Sequence, residues 1–163
     1  MKKLIYLLLV LPFALAFSSC SNDDNLPDVN VTLTFDNAVA SDGAIYVVKD
    51  ATLQLTGIET TPADNSKPAT LANVRFFWNY RPTPYMSWSE FPIDIPMADM
   101  PLVDKGANLL GINATLLQVD KSMAYTSFNI PIVTVDSESD LPGGQQPGQA
   151  TFTLRIGQSK TEK

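Results

Sequence analysis

The sequence predicts an all-β domain folded as an antiparallel sandwich. Short segments alternate apolar and polar residues with period two, and polar turn residues separate them. No helical window of ten or more residues appears beyond the N-terminal apolar run. Six to eight short strands at this spacing favour packed antiparallel layers, because a parallel sheet would require helical crossovers.

The strands follow in order. Val29, Val31, Leu33 and Phe35 share one face of the first, with Asn30, Thr32, Thr34 and Asp36 on the other. Ser41, Asp42 and Gly43 form a turn into a β-rich stretch at 44–48. Lys49 and Asp50 lead into a strand with Leu53 and Leu55 inward, and residues 60–68 form a loop. Val74, Phe76, Trp78 and Tyr80 line one face of the next strand, with Arg75, Phe77 and Asn79 on the other. Residues 81–84 break the chain. Phe91, Ile93, Ile95 and Met97 alternate with Pro92, Asp94 and Pro96, so this segment belongs at a sheet edge, where a missing N–H is tolerated. Leu110, Ile112, Ala114 and Leu116 point inward from the following strand, in which Gly111 marks a close approach or a bulge. A turn at 120–122 precedes the returning strand, with Phe128, Ile130 and Ile132 on its core face.

Beyond Val135 the character changes. Residues 136–150 are acidic and then rich in Pro, Gly and Gln, which predicts a flexible linker or long loop. Residues 151–163 supply a last alternating segment and tail, with Phe152, Leu154 and Ile156 either returning to the domain's own sheet or joining a neighbour.

The N-terminus is a different kind of segment. Lys2 and Lys3 precede fourteen largely apolar residues, 4–17, too few to span a bilayer and suited to a removable export signal. Ser18, Ser19 and Cys20 follow. This arrangement resembles a bacterial lipoprotein precursor, which implies removal of residues 1–19 and lipidation of Cys20. Cys20 is the sole cysteine, so no intramolecular disulfide can form. The alternatives are an ordinary secretory signal with an incidental thiol, or an intermolecular disulfide. Several acyl chains on one residue would anchor stably, since each buried methylene contributes about 0.8 kcal/mol. Residues 20–28 then form a polar tether. Its Asp23 and Asp24 resemble the acidic surface-export signal of Bacteroidetes lipoproteins, which implies outer-membrane attachment and favours the cell surface over the periplasmic leaflet.

Residues 29–135 resemble an immunoglobulin-like β-sandwich of about seven strands, here without the inter-sheet cysteine pair. The likeness rests on Ile45-Tyr46-Val47-Val48 followed by Thr52-Leu53-Gln54-Leu55, on the strand from Val74 to Trp78, and on the strand and turn at 113–120. Trp78 matches the buried tryptophan of the third strand.

Composition narrows the function. The chain carries 11 basic and 17 acidic residues and no histidine. Loss of Lys2 and Lys3 takes the formal charge from −6 to −8, which argues against a nucleic-acid partner. Without histidine, the commonest general base and metal ligand are missing. The adjacent Lys121 and Ser122 could form a Ser–Lys pair, but their turn setting favours solvation. Asp94, Asp99 and Asp104 lack the polar scaffold of a glycosidase site. Asp136, Glu138 and Asp140, like Asp23 and Asp24, lack calcium-loop spacing, and Gly143-Gly144 lacks the remainder of a phosphate loop. No cofactor and no metal are therefore expected. Tyr80, Tyr85, Trp88 and Phe91 are the candidate ligand contacts, since aromatic rings around a proline-broken stretch can stack on sugars or anchor a protein; the alternative is that they cap the open end of the core. The expectation is a non-enzymatic, lipid-anchored envelope module that binds an envelope protein or a glycan. A structural subunit donating its C-terminal strand is the second expectation, and a carboxylate-dependent hydrolase a remote third.

Overall fold

The computed structural model describes residues 27–63, 67–82, 91–103 and 106–157. They form β1 (Val29–Ser41), β2 (Ala44–Val48), β3 (Thr52–Pro62), β4 (Ala69–Trp78), β5 (Arg81–Pro82), β6 (Ile93–Pro96), β7 (Asn108–Gln118), β8 (Met123–Val135) and β9 (Gly148–Ile156). The fold is all-β: three short 3-10 turns are the only helical pieces among the described residues.

Alternation produces the core. Val29, Val31, Leu33 and Phe35 on β1 are fully buried, while the residues between them are half-buried. The inward residues of β3 and β6 join those of β4, β7 and β8 in one apolar cluster centred on Trp78, Phe35, Ile95 and Ile112. The hydrogen-bonded order is β5-β4-β7-β8-β2-β1-β3-β6, with β9 also paired to β1. The sheet curls so that its two ends share this core.

The device that turns the sheet is a bend in β1. Residues up to Asp36 pair with β3, whereas Val39 to Ser41 pair with β2. Between them Asn37 adopts φ 61° and its side-chain amide donates to the Thr52 carbonyl at 3.0 Å. Asparagine tolerates this left-handed conformation better than most residues. Asp42 and Gly43, both at positive φ, then close a two-residue hairpin of the kind that matches strand twist.

The sheet differs from the expected one in two respects. It holds nine strands rather than about seven, and it is mixed rather than wholly antiparallel, because β2 runs parallel to β8. Apolar alternation looks the same beside a parallel or an antiparallel neighbour, so the β1 bend decides the pairing. β5 is only two residues long, too short for any periodicity. β3 also continues to Pro62, into the segment expected to be loop. No disulfide is present among the described residues, which contain no cysteine.

The chain between β8 and β9 contains 3-10 turns at 138–140 and 142–144, with Leu141 buried between them. The Ser137 hydroxyl and backbone N–H both donate to Asp140. β9 then lies antiparallel along β1 of its own chain, from Val29 opposite Ile156 to Phe35 opposite Ala150. Ile156 and Ala150 are buried, and Phe152 and Leu154 pack against the core. Arg155 donates to Asp28 through both Nε, at 2.7 Å, and its terminal amine.

Candidate functional site

The outward residues of β4, β7 and β8 fall into register as rows across three adjacent strands. Asn73, Thr115 and Tyr125 form one row, and Arg75, Asn113 and Ser127 the next. Together they line a shallow depression of about 440 Å³, with Ala114 and Thr126 beneath. Strands lie about 4.8 Å apart and alternate residues about 7 Å apart along a strand, so two rows cover roughly 10 by 7 Å.

The next row limits the depression on one side. Phe77 and Asn129 flank Gly111 closely: a Cβ there would lie 3.0 Å from the Asn129 Oδ1 and 3.3 Å from the Phe77 Cβ, so any side chain would require these neighbours to give way. Close approach, rather than a bulge, is the reason for this glycine. On the other side lie Leu117 and Met123.

Chemically, the depression offers two side-chain amides, two hydroxyls, one guanidinium and a phenol ring. Tyr125 is 59% exposed. None of the six side chains has a hydrogen bond or ion pair among the described residues. Elsewhere outward groups do find partners, as where Thr32 and Thr153 hydroxyls meet at 3.0 Å across β1 and β9. The depression therefore presents a planar cation, amide groups and an aromatic face to solvent at once, a set that can bind a polar ligand by hydrogen bonding and stacking.

Of the aromatic residues singled out from the sequence, Tyr80 and Phe91 are among those described. Tyr80 is 74% exposed in the turn after β4, at φ 64°, and Phe91 is 38% exposed ahead of β6. They border strands at opposite ends of the strand order. Tyr85 and Trp88 lie outside the described residues, as do Cys20, Asp23, Asp24 and Asp104. Trp78 is 1% exposed, and its indole N–H donates to the Pro101 carbonyl at 3.1 Å.

The other reactive groups are held by local partners. Ser122 donates its hydroxyl to Asp120 at 2.6 Å and its backbone N–H to the same oxygen at 2.9 Å. These two bonds hold the Asp120 carboxyl below the usual carboxylate range, with a smaller contribution from Lys67. The serine is thus tied to an acceptor in the turn where Lys121 adopts φ 67°. Asp94 accepts from Gln54 at 2.8 Å. Asp136 pairs with Lys49 at 2.9 Å; this hydrogen-bonded contact lowers the acid's pKa and raises the lysine's. No group of three potential metal ligands occurs among the described residues.

Sequence reasoning placed Arg75 on an outward face but missed the cluster around it. The relevant signal was the polar outward set of β7 and β8, Asn113, Thr115, Tyr125 and Ser127, which only the cross-strand register joins to β4. Comparison with known proteins adds no relative: no protein-family model, curated protein or solved structure matches the chain.

Proposed function

We propose that this chain is a non-enzymatic, lipid-anchored module of the cell envelope that binds a carboxylate-bearing glycan on the outer face of β4, β7 and β8. The observation that carries the reading is Arg75, without an ion-pair or hydrogen-bond partner among the described residues and set among Asn73, Asn113 and Ser127 with the exposed Tyr125 ring beside it. A guanidinium matches a carboxylate with two parallel hydrogen bonds. Amides and hydroxyls suit sugar hydroxyls, and the phenol ring suits the apolar face of a pyranose. The 10 by 7 Å footprint estimated above accommodates about one or two sugar rings.

The domain carrying the site is immunoglobulin-like in this proposal. Support comes from the adjacency of β1, β3 and β6 on one side of the core and of β4, β7 and β8 on the other, which follows the order A-B-E and C-F-G of such sandwiches. The lipid anchor at Cys20 and surface export through Asp23 and Asp24 belong to the same proposal, motivated by the sequence at 1–24.

The test is titration of the acyl-free mature chain with oligogalacturonate and with a neutral galacto-oligosaccharide, followed by calorimetry and amide NMR. The acidic sugar should shift resonances at 73–75, 113–115 and 125–127. Arg75→Gln should weaken its binding about tenfold or more, and Tyr125→Ala several-fold. Equal affinity of wild type and both variants would place binding elsewhere.

A further inference from the structure

We infer that the β7–β8 hairpin end, through Leu117, Val119 and Met123, seats in the surface of the membrane to which the chain is tethered. The inference rests on the lipid-anchor reading of Cys20 and adds an orientation to it. Val119 is 67% exposed, Met123 57% and Leu117 38%. Leu117 and Met123 are cross-strand partners, and Val119 lies in the turn that joins their strands. Hairpin turns are ordinarily built from small polar residues, and contiguous exposed apolar side chains on a domain mark a contact surface.

The strand register places this tip at the end of the domain where the tether arrives. Val29 begins β1 opposite Pro62, the last residue of β3. Two residues before that end, the Thr60 hydroxyl donates to the Ala69 carbonyl at 2.7 Å, and Ala69 starts β4 opposite Gln118, the last residue of β7. From β1 to the hairpin is about three strand widths, roughly 15 Å. The tether is short: Cys20 precedes Pro27 by seven residues, a reach of at most about 25 Å. An acyl chain on Cys20 therefore holds this end, and not the end bearing the β2–β3 turn, within reach of the lipid. Lys67 and Lys121 are exposed beside the tip together with the Asp120 carboxylate that Lys67 faces, and the two cations outnumber it for contact with headgroup phosphates. Three apolar side chains on a turn fit the 5–10 Å depth of the headgroup boundary. The glycan depression, one and two rows further along the strands, stays outside it.

The experiment uses the lipidated protein bound to vesicles of phosphatidylethanolamine and phosphatidylglycerol at three to one. Acylation consumes the thiol of Cys20, so Val119→Cys or Asp50→Cys supplies a single labelling site for an environment-sensitive fluorophore; Asp50 lies in the turn at the opposite end. Flotation with the vesicles reads the anchor, and quenching by lipid-borne or aqueous quenchers reads the docking. The label at 119 should be quenched at least several-fold more by lipid-borne quencher than the label at 50. With the label moved to Lys121→Cys, adding Leu117→Asp and Met123→Asp should abolish that difference while the protein still floats. A floating protein whose position 119 is quenched by aqueous iodide as strongly as position 50 would overturn the docking and leave the anchor standing. Shielding of position 119 from both quenchers in native membranes would assign the tip to a protein partner instead, and failure to float would remove anchor and docking together.

Discussion

Among the described residues Asn108 is the one fully buried side-chain amide, and it organises the end of the core opposite the β7–β8 hairpin. Its Oδ1 accepts from the Val103 backbone at 3.0 Å and from the Asn79 side chain at 3.1 Å. Asn79 in turn accepts from the Leu109 N–H at 2.8 Å and donates to Pro101 at 3.0 Å, the carbonyl that also receives the Trp78 indole. Asn79 is held at φ 48°; its backbone N–H still donates to the Leu109 carbonyl at 2.9 Å, while its side chain takes the place of its own carbonyl as acceptor for the Leu109 N–H. Asn108→Ala takes the acceptor from the Val103 N–H and from one Asn79 donor, in two part-buried hydrogen bonds. The variant should lose about 1–3 kcal/mol in urea denaturation, with Asn79→Ala losing a similar amount. Because the two act on one network, the double variant should lose clearly less than the sum of the singles.

Among the strands, β9 contributes more than its position suggests. It covers one edge of β1, and without it Val29 to Phe35 would present an unpaired edge. Truncation after Val135 removes Leu141 and Ile156, both buried, together with the partial burial of Phe152 and Leu154. At about 1.5–3 kcal/mol for each fully buried side chain, Leu141 and Ile156 alone account for roughly 3–6 kcal/mol. The truncated chain should show a correspondingly lower denaturation midpoint and a greater tendency to associate; an unchanged midpoint in a monomer would refute the edge-covering role. The pairing face of β9 was legible in Phe152, Leu154 and Ile156, as were the inward faces of β7 and β8, because a half-buried strand writes its orientation in period two. The parallel pairing of β2 with β8 was not legible, since it follows a change of partner along β1, on either side of the left-handed Asn37, that period two does not register. The polar depression was half legible for a related reason: each strand shows which residues face out, but register between strands far apart in sequence brings Arg75 beside Asn113 and Ser127.

On the proposed anchor reading, the whole molecule has a membrane end and a free end, and its placement in the envelope would follow from that polarity. β1 begins at the end that carries the β7–β8 hairpin, while the β2–β3 turn and the Asn79–Asn108 network lie opposite. In that proposal the anchor is Cys20 and the export signal is Asp23 with Asp24, so the two are separable by mutation. Cys20→Ala should release the protein from membranes into the soluble fraction and abolish acyl labelling, with the denaturation midpoint of the domain unchanged, because the described fold begins beyond it. Asp23→Ala with Asp24→Ala should leave membrane attachment intact and change only the side reached. The measurement is loss of a C-terminal epitope when proteinase K is added to intact cells: the unaltered protein should lose it, and the double variant should keep it until the cells are permeabilised. Retention by the unaltered protein would assign the domain to the periplasmic leaflet, where Arg75 and Tyr125 could meet only glycans inside the outer membrane. The same assay thus decides which pool of acidic saccharides the depression can encounter.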